Sequence, residues 1–279
     1  MLEQFSNALA SAQSHALAMH PERSCGLIVK GEYVACENVA DDPATHMSDN
    51  CGCRLCTFQI AEEVYRTYEA NVNVIVHSVA DGFYGPSRAD MERQMLTNKP
   101  WAIIPIGVTG EVRDPVIVGG EIPPLLGRKF IHGVTDCYAF IRDAFALGRS
   151  ELARQGIPGW PFDPIILPAF PRNEGWWLQG ENMYLDNFAN AGFFIVHDEP
   201  RPGDMFVSDI LNLHNVHGGI MVGNDMIAHH LPGRLSRLEP ASLWKKKANV
   251  WVRQIGKSFT DDKLSTEDRA WNFIRSSVK

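Results

Sequence analysis

One cysteine stands apart from the others. Five of the six fall at Cys25, Cys36, Cys51, Cys53 and Cys56, and Cys137 is alone in the rest of the chain. A lone thiol accompanied by histidines is the residue set of a nucleophile and its base. A thiolate attacks a carbonyl, and an imidazole within hydrogen-bond reach moves the proton. The second half offers His132, His197, His214, His217, His229 and His230 as bases. Thr135 and Asp136 are helix-capping types, and Tyr138, Phe140, Ile141 and Phe145 continue a helix. Cys137 therefore falls in a first helical turn. Unsatisfied N–H groups and the helix dipole are expected there to favour a thiolate over a thiol.

The best-placed bases lie in one hairpin. His217-Gly-Gly-Ile-Met-Val reads as a strand, Gly223-Asn224-Asp225 as a turn, and Met226 to His230 as the return strand. With a three-residue loop, His229 lies diagonally across from His217 on the same face. With a loop of only Asn224-Asp225, parity flips and His230 takes that place. Spacing leaves both arrangements open.

Cys51-x-Cys53-x-x-Cys56 is a second concentration of thiols. Zinc or an iron–sulfur cluster would need a fourth ligand from Cys36, His46 or a partner protein. The motif is incomplete, so the triplet is read as reduced loop cysteines and no cofactor is assigned.

These residues need elements to position them. Leu2, Phe5, Leu9, Ala12 and Ala16 have helical spacing, closed by Pro21. Cys25 to Val29 reads as a strand, Phe58 to Tyr68 as a helix, and Val72 to Val76 as a buried strand ending at His77 and Ser78. Ser87 starts another helix, and Trp101 to Ile106 is a strand. This order predicts an α/β layer domain. Residues 114–127 are rich in Pro and Gly and read as a linker, so the boundary is set near residue 120, between domains 1–117 and 124–279. The second domain is read as α+β: the Cys137 helix, a helix near 181–191, strands at 205–208, 217–222, 226–230 and 249–255, and a last helix from Ser265 or Thr266.

Composition narrows the function classes. The 279 residues carry a formal net charge of −7, 45% hydrophobic and 21% charged residues. An acidic globular chain is a poor partner for nucleic acid. Lys245-Lys246-Lys247 reads as a solvated face. No secretory signal and no run of 18 apolar residues are visible, so no transmembrane segment is expected.

Several motifs resemble known families. Thr135-Asp136-Cys137-Tyr138 with Ile141-Arg142-Asp143, Pro202-Gly203-Asp204-Met205-Phe206-Val207 and His217-Gly218-Gly219-Ile220 resemble the nucleophile, turn and histidine segments of NlpC-type, papain-like cell-wall peptidases. The resemblance implies Cys137 as nucleophile, His217 as general base and acid, and His229 as the orienting residue, with His230 as the fallback. It also implies stem-peptide bonds of peptidoglycan as substrate, acyl transfer through a thioester, and a contribution of the Cys137 N–H to the oxyanion hole. Trp176-Trp177, Gly180 to Asn187, and His229-His230-Leu231-Pro232 with Leu235-Ser236 resemble the tail-tip assembly proteins of lambda-like phages. Other tail-tip proteins are then the expected partners. The expected locations are the host cytoplasm during assembly and the virion tail tip at the host cell wall. The rival reading is a catalytically silent structural assembly factor. The two tryptophans are read as core or groove-wall packing.

The first domain resembles JAMM metalloproteases. That pattern has an early glutamate, a His-x-His, and a Ser-x-x-Asp starting eight positions after the second histidine. Glu22, His77, Ser87 and Asp90 occupy corresponding positions, but Val79 stands where the second histidine belongs. A catalytic zinc normally has three protein ligands and a water, and only His77 and Asp90 remain. The resemblance therefore implies a degenerate site without metal or metalloprotease activity. Ser87-x-x-Asp90 is left as a capping box and Glu22 as an ordinary exposed carboxylate. The domain is expected to serve docking.

Overall fold

A computed structural model describes residues 3–46, 51–80, 84–210 and 213–258. The expected helix from Ser265 or Thr266, and Leu2, lie outside them. The chain is mixed α and β and separates into two compact units between Glu121 and Ile122.

In the first unit, helix α1 (Ser6–Met19) turns Ala8, Leu9, Ala12 and Ala16 inward. Three of these are alanines, which let the helix lie close to the sheet beneath it. Strands β1 (Cys25–Val29) and β2 (Glu32–Cys36) form a hairpin. Helix α2 (Glu62–Tyr68), strand β3 (Val72–Val79), helix α3 (Arg88–Thr97) and strands β4 (Trp101–Pro105) and β5 (Val116–Val118) follow. The sheet order is β2-β1-β3-β4-β5, with β3 and β4 parallel. Ile28, Val74, Val76, Ala102 and Ile104 meet the α1 alanines in one core. Central β3 is buried on both faces, as its near-continuous apolar run requires.

Three expectations need correction here. Phe58 to Ala61 is not helical, because backbone groups of Gln59 are taken by Val39 N–H and the Asn38 side chain. Phe58 instead enters the core. Strand β3 does not end at His77 but continues through Val79 beside β4. The Pro/Gly-rich stretch is not all linker, since its Val-Ile-Val segment pairs with Trp101–Ile103.

The second unit begins with α4 (Cys137–Arg154), capped by Asp136, whose carboxylate accepts from Ala139 N–H. The helix breaks at Gly148, where φ is +69° and ψ 179°. Only glycine occupies that region readily, and a Cβ there would sit 2.6 Å from the Pro164 nitrogen. The helix expected near 181–191 is two short turns: α5 (Met183–Asn187), capped by Asn182, and a 3-10 turn (Ala189–Ala191) stopped by left-handed Gly192. Strands β6 (Phe193–Val196), β7 (Met205–Ile210), β8 (Leu213–Val222), β9 (Met226–His229) and β10 (Arg237–Pro240), helix α6 (Ala241–Lys245) and strand β11 (Ala248–Gln254) complete the unit. The antiparallel sheet runs β10-β9-β8-β7-β11-β6. Of these, β6, β10 and α6 are not legible in the periodicity. One face of β8, through Val216, Ile220 and Val222, packs with α4. The other face carries Met221, which packs with Phe206, Ile227 and Trp244. No described helix is long and apolar enough to cross a membrane.

Candidate functional site

The β8–β9 hairpin resolves the parity question. Val222 pairs with Met226 and Gly219 with His229, so the loop is Gly223-Asn224-Asp225. Asn224 and Asp225 adopt left-handed φ, which their short polar side chains tolerate. Two residues back along β8, His217 shares the face of His229. His217 Nε2 lies 3.0 Å from His229 Nδ1. His229 Nε2 lies 3.5 Å from Glu239 Oε2, which also accepts from the Trp244 indole N–H at 2.8 Å. Both imidazoles are 1% exposed. The fallback His230 points elsewhere, against Phe130 and the Arg234 carbonyl.

This row fixes the tautomers. A carboxylate accepts, so His229 Nε2 carries the proton that faces Glu239. His229 Nδ1 is then an acceptor, and His217 Nε2–H donates to it. The lone pair of His217 is thereby left on Nδ1, a buried atom with no hydrogen-bond partner. Ser208, directly across from His217 in register, has a buried hydroxyl in the same condition.

The electrostatics keep the row neutral at its inner end. Burial lowers the pKa of His217 well below the usual histidine value, and the neighbouring His229 and His230 reinforce this. Burial takes His229 down to about 4, despite the opposing pull of Glu239. Burial works against the charge on Glu239, but the Trp244, Arg237 and His229 contacts outweigh it and keep it ionised.

Cys137 starts α4 against the same strand. Its sulfur is 3.9 Å from the Val216 carbonyl and 3.2 Å from the Tyr184 hydroxyl, which donates to it. Gly218 N–H is a further donor to the sulfur. The thiol thus lies along the backbone on either side of His217. The His217 ring packs on Phe206 and Trp244, and no hydrogen bond joins it to the sulfur. The structure brings His217 and His229 together on one face of β8 and places Cys137 against the opposite face, so the sequence-predicted nucleophile and base are not in contact.

The expected thiolate is not what the environment favours. Burial, then the adjacent Asp136 carboxylate, push the thiol up to about 11, against the opposing effects of Tyr184, Arg172 and Gly218 N–H. Helix-end stabilisation falls off within a turn and is modest. Desolvation of a buried charge is larger.

Asp136 accepts from Gly133 and Ala139 N–H and pairs with the buried Arg172 guanidinium. His132 sits beside it, 3.7 Å away. His214 is exposed and pairs with Asp209 at 2.9 Å. Trp176 is buried and Trp177 packs edge-on against it. The sequence reading missed Tyr184, Glu239 and Ser208. Only the polar residues at a strand and helix start offered a signal, and their partners become visible only through register.

The first unit arranges its corresponding residues differently. His77 is fully buried, stacked on Phe58 at 4.5 Å, with Nδ1 3.2 Å from the Ser78 carbonyl. Its Nε2 lies 3.3 Å from Asp90 Oδ1. Burial opposes the charge on Asp90, but the His77 and Ser87 contacts outweigh it and hold the carboxylate well below its usual range. Ser87 and Asp90 form the expected capping box. Glu22 is not an ordinary exposed carboxylate, because Arg54 Nε binds it at 2.8 Å. These donors do not fit a catalytic zinc. Two already pair with each other, the third position is the aliphatic Val79, and the glutamate is held by a guanidinium.

The chain is 31% identical over 194 residues to tail tip assembly protein K of Escherichia phage lambda, covering 64% of this chain and 84% of that protein. The chain belongs to the tail tip assembly protein K family. A second member, from Escherichia phage N15, is 28% identical over 252 residues, covering 86% of this chain and 91% of that protein. No protein-family model matches the chain. Within this K-family chain, the hairpin of His217 and His229 and the His77–Asp90 pair are two buried polar clusters, one in each unit.

Proposed function

We propose that the chain is a tail-tip assembly protein whose second unit cleaves stem-peptide bonds of peptidoglycan with Cys137 as nucleophile. The observation that carries this reading is the ordered row from Glu239 through His229 to His217, ending on the unpartnered Nδ1 beside the strand that Cys137 touches. His217 Nδ1 takes the thiol proton as the sulfur attacks the peptide carbonyl. The resulting imidazolium returns the proton to the leaving amine, and water releases the thioester. The Cys137 N–H at the start of α4 contributes to oxyanion stabilisation. His229 and Glu239 are positioning residues that hold the tautomer. Because the resting thiol is neutral, proton transfer accompanies attack. Catalysis on this reading requires that substrate binding rearrange β8 around His217, because the imidazole and the Cys137 thiol lie on opposite faces of that strand.

One observation favours the second reading, a catalytically silent assembly factor. The thiol is pushed up to about 11 while the imidazole is pushed down, which opposes proton transfer between them. Incubating the chain with purified peptidoglycan and identifying released fragments by mass spectrometry separates the two. Fragments from the wild type that vanish with Cys137→Ala support the peptidase. No fragments from folded wild-type protein refute it. Site-resolved iodoacetamide labelling adds a check on the thiol. Labelling of Cys137 should rise no earlier in pH than that of Cys36, which burial also raises to about 11. Docking of the first unit to other tail proteins belongs to the same proposal, with pull-down as its test.

A further inference from the structure

The described residues of the 37–61 connection between β2 and α2 have little regular structure beyond a short 3-10 turn (Pro43–Thr45). Connections much beyond roughly 12–15 residues without structure of their own are uncommon in compact units. Asn38 holds one end, donating to the carbonyls of Arg23 and Thr57 and accepting from Ala40 and Gln59 N–H. At the other end, four ligand atoms converge. His46 Nδ1 and the sulfurs of Cys51, Cys53 and Cys56 all lie within 4.8 Å of one another.

We propose that His46, Cys51, Cys53 and Cys56 bind one structural zinc ion. A tetrahedral ion with Zn–S near 2.3 Å and Zn–N near 2.05 Å separates its ligands by about 3.8 Å between sulfurs and about 3.6 Å between sulfur and nitrogen. The three sulfur–nitrogen distances are 3.5, 3.5 and 3.4 Å. The sulfur–sulfur distances are 2.9, 3.5 and 3.9 Å, so only the Cys51–Cys53 edge must open by nearly an ångström. One ring nitrogen makes all three imidazole contacts, as a single donor aimed at a common centre would. The backbone already presents the thiols. Cys56 and Thr57 N–H both donate to the Cys53 carbonyl, making a tight turn, and Asp41 bonds across to Gly52 and Arg54.

The donor set selects the ion. Three thiolates and an imidazole suit zinc, and four protein ligands close the site against water, so its role is structural. A disulfide is excluded at these distances, since the closest sulfurs are 2.9 Å apart against a bond of about 2.05 Å. Binding releases the thiol protons to solvent and ties the loop to a fixed point. Arg54 lies inside this knuckle. Its carbonyl accepts from Arg23 N–H at 2.8 Å and its side chain binds Glu22. The ion thus fastens the segment that occupies Glu22.

The test uses the full chain purified in reductant. Elemental analysis should find one zinc per chain. Cys53→Ser and Cys56→Ser should each lower zinc affinity at least tenfold in competition with a chromophoric chelator, while His77→Ala leaves it unchanged. Where a variant fails to fold, cobalt titration of the wild type decides. The expected spectrum has visible bands of tetrahedral cobalt and near-ultraviolet thiolate-to-cobalt charge transfer. Absence of both zinc and these cobalt bands overturns the proposal. So does zinc that leaves with His77→Ala but stays in the cysteine variants, iron with acid-labile sulfide, or a Cys51–Cys53 disulfide persisting in the reduced protein.

Discussion

Two buried clusters contain a histidine on a central strand, and they differ in what faces its second ring nitrogen. In the second unit, His217 is joined at one nitrogen to His229 and through it to Glu239, and its other nitrogen is left without a partner. In the first unit, His77 faces the Ser78 carbonyl at Nδ1, and its Nε2 makes no well-formed hydrogen bond but lies 3.3 Å from the Asp90 carboxylate. The first arrangement has a lone pair to offer. The second has both ring positions facing protein acceptors. A buried imidazole is therefore informative through what its second nitrogen faces, more than through its burial or motif.

The comparison can be broken most directly at the sulfur. Under the peptidase reading, Cys137→Ala should lower fragment release from peptidoglycan by at least about 10³-fold, with an unchanged melting temperature. Next comes the tautomer row. His229→Ala should cost roughly 10²-fold in kcat with little change in KM, and His229→Asn should recover part of it by restoring an acceptor to His217. An equal loss for both variants would mean that His229 acts only through packing.

Acid should separate the clusters by pH range. Burial lowers the pKa of His229 to about 4 and that of His217 well below the usual histidine value. The unfolded chain therefore binds more protons than the folded one below about 6.5. This stability contribution is present above pH 6.5 and is lost as pH falls towards 4. Asp90 has a depressed pKa too, so its contribution survives to lower pH. Urea unfolding across pH 4–7 should show the loss in the second unit, and His229→Asn should flatten it.

The smaller effects belong to the first unit. Asp90→Ala removes the capping box and the partner of a buried histidine, and should cost about 1–3 kcal/mol in unfolding free energy without altering peptidoglycan release. Arg54→Ala breaks a half-exposed ion pair and should shift the melting temperature marginally, with zinc content retained.

Where the chain spoke locally, the sequence was readable. Ser87-x-x-Asp90 forms the capping box that its spacing implies, and Asp136 caps the Cys137 helix. The hairpin turn was readable to within one residue, and register then decided between His229 and His230. Other features depend on distant segments. Glu239 reaches His229 because β10 folds back on β9, and Tyr184 reaches Cys137 from a short helix without clear periodicity. The pKa of Cys137 is set by neighbours from other segments and by desolvation, neither of which is written next to the cysteine. His46 was one of several candidate ligands for the cysteine triplet, and only the fold of the loop singles it out.

Gly148 has a consequence for how variation in this family should be interpreted. Its backbone conformation and the proximity of Pro164 leave no room for a side chain. In a saturation library, this position should tolerate glycine alone, as sharply as any residue that touches substrate. It lies on the same helix as Cys137, so a tolerance map alone would group the two as chemistry. The constraint at 148 comes from chain routing: the break lets Arg149 N–H reach the Phe162 carbonyl and Ile165 N–H reach Phe145. Intolerance at this position would therefore track folding yield, while intolerance at Cys137 would track turnover in protein that folds normally.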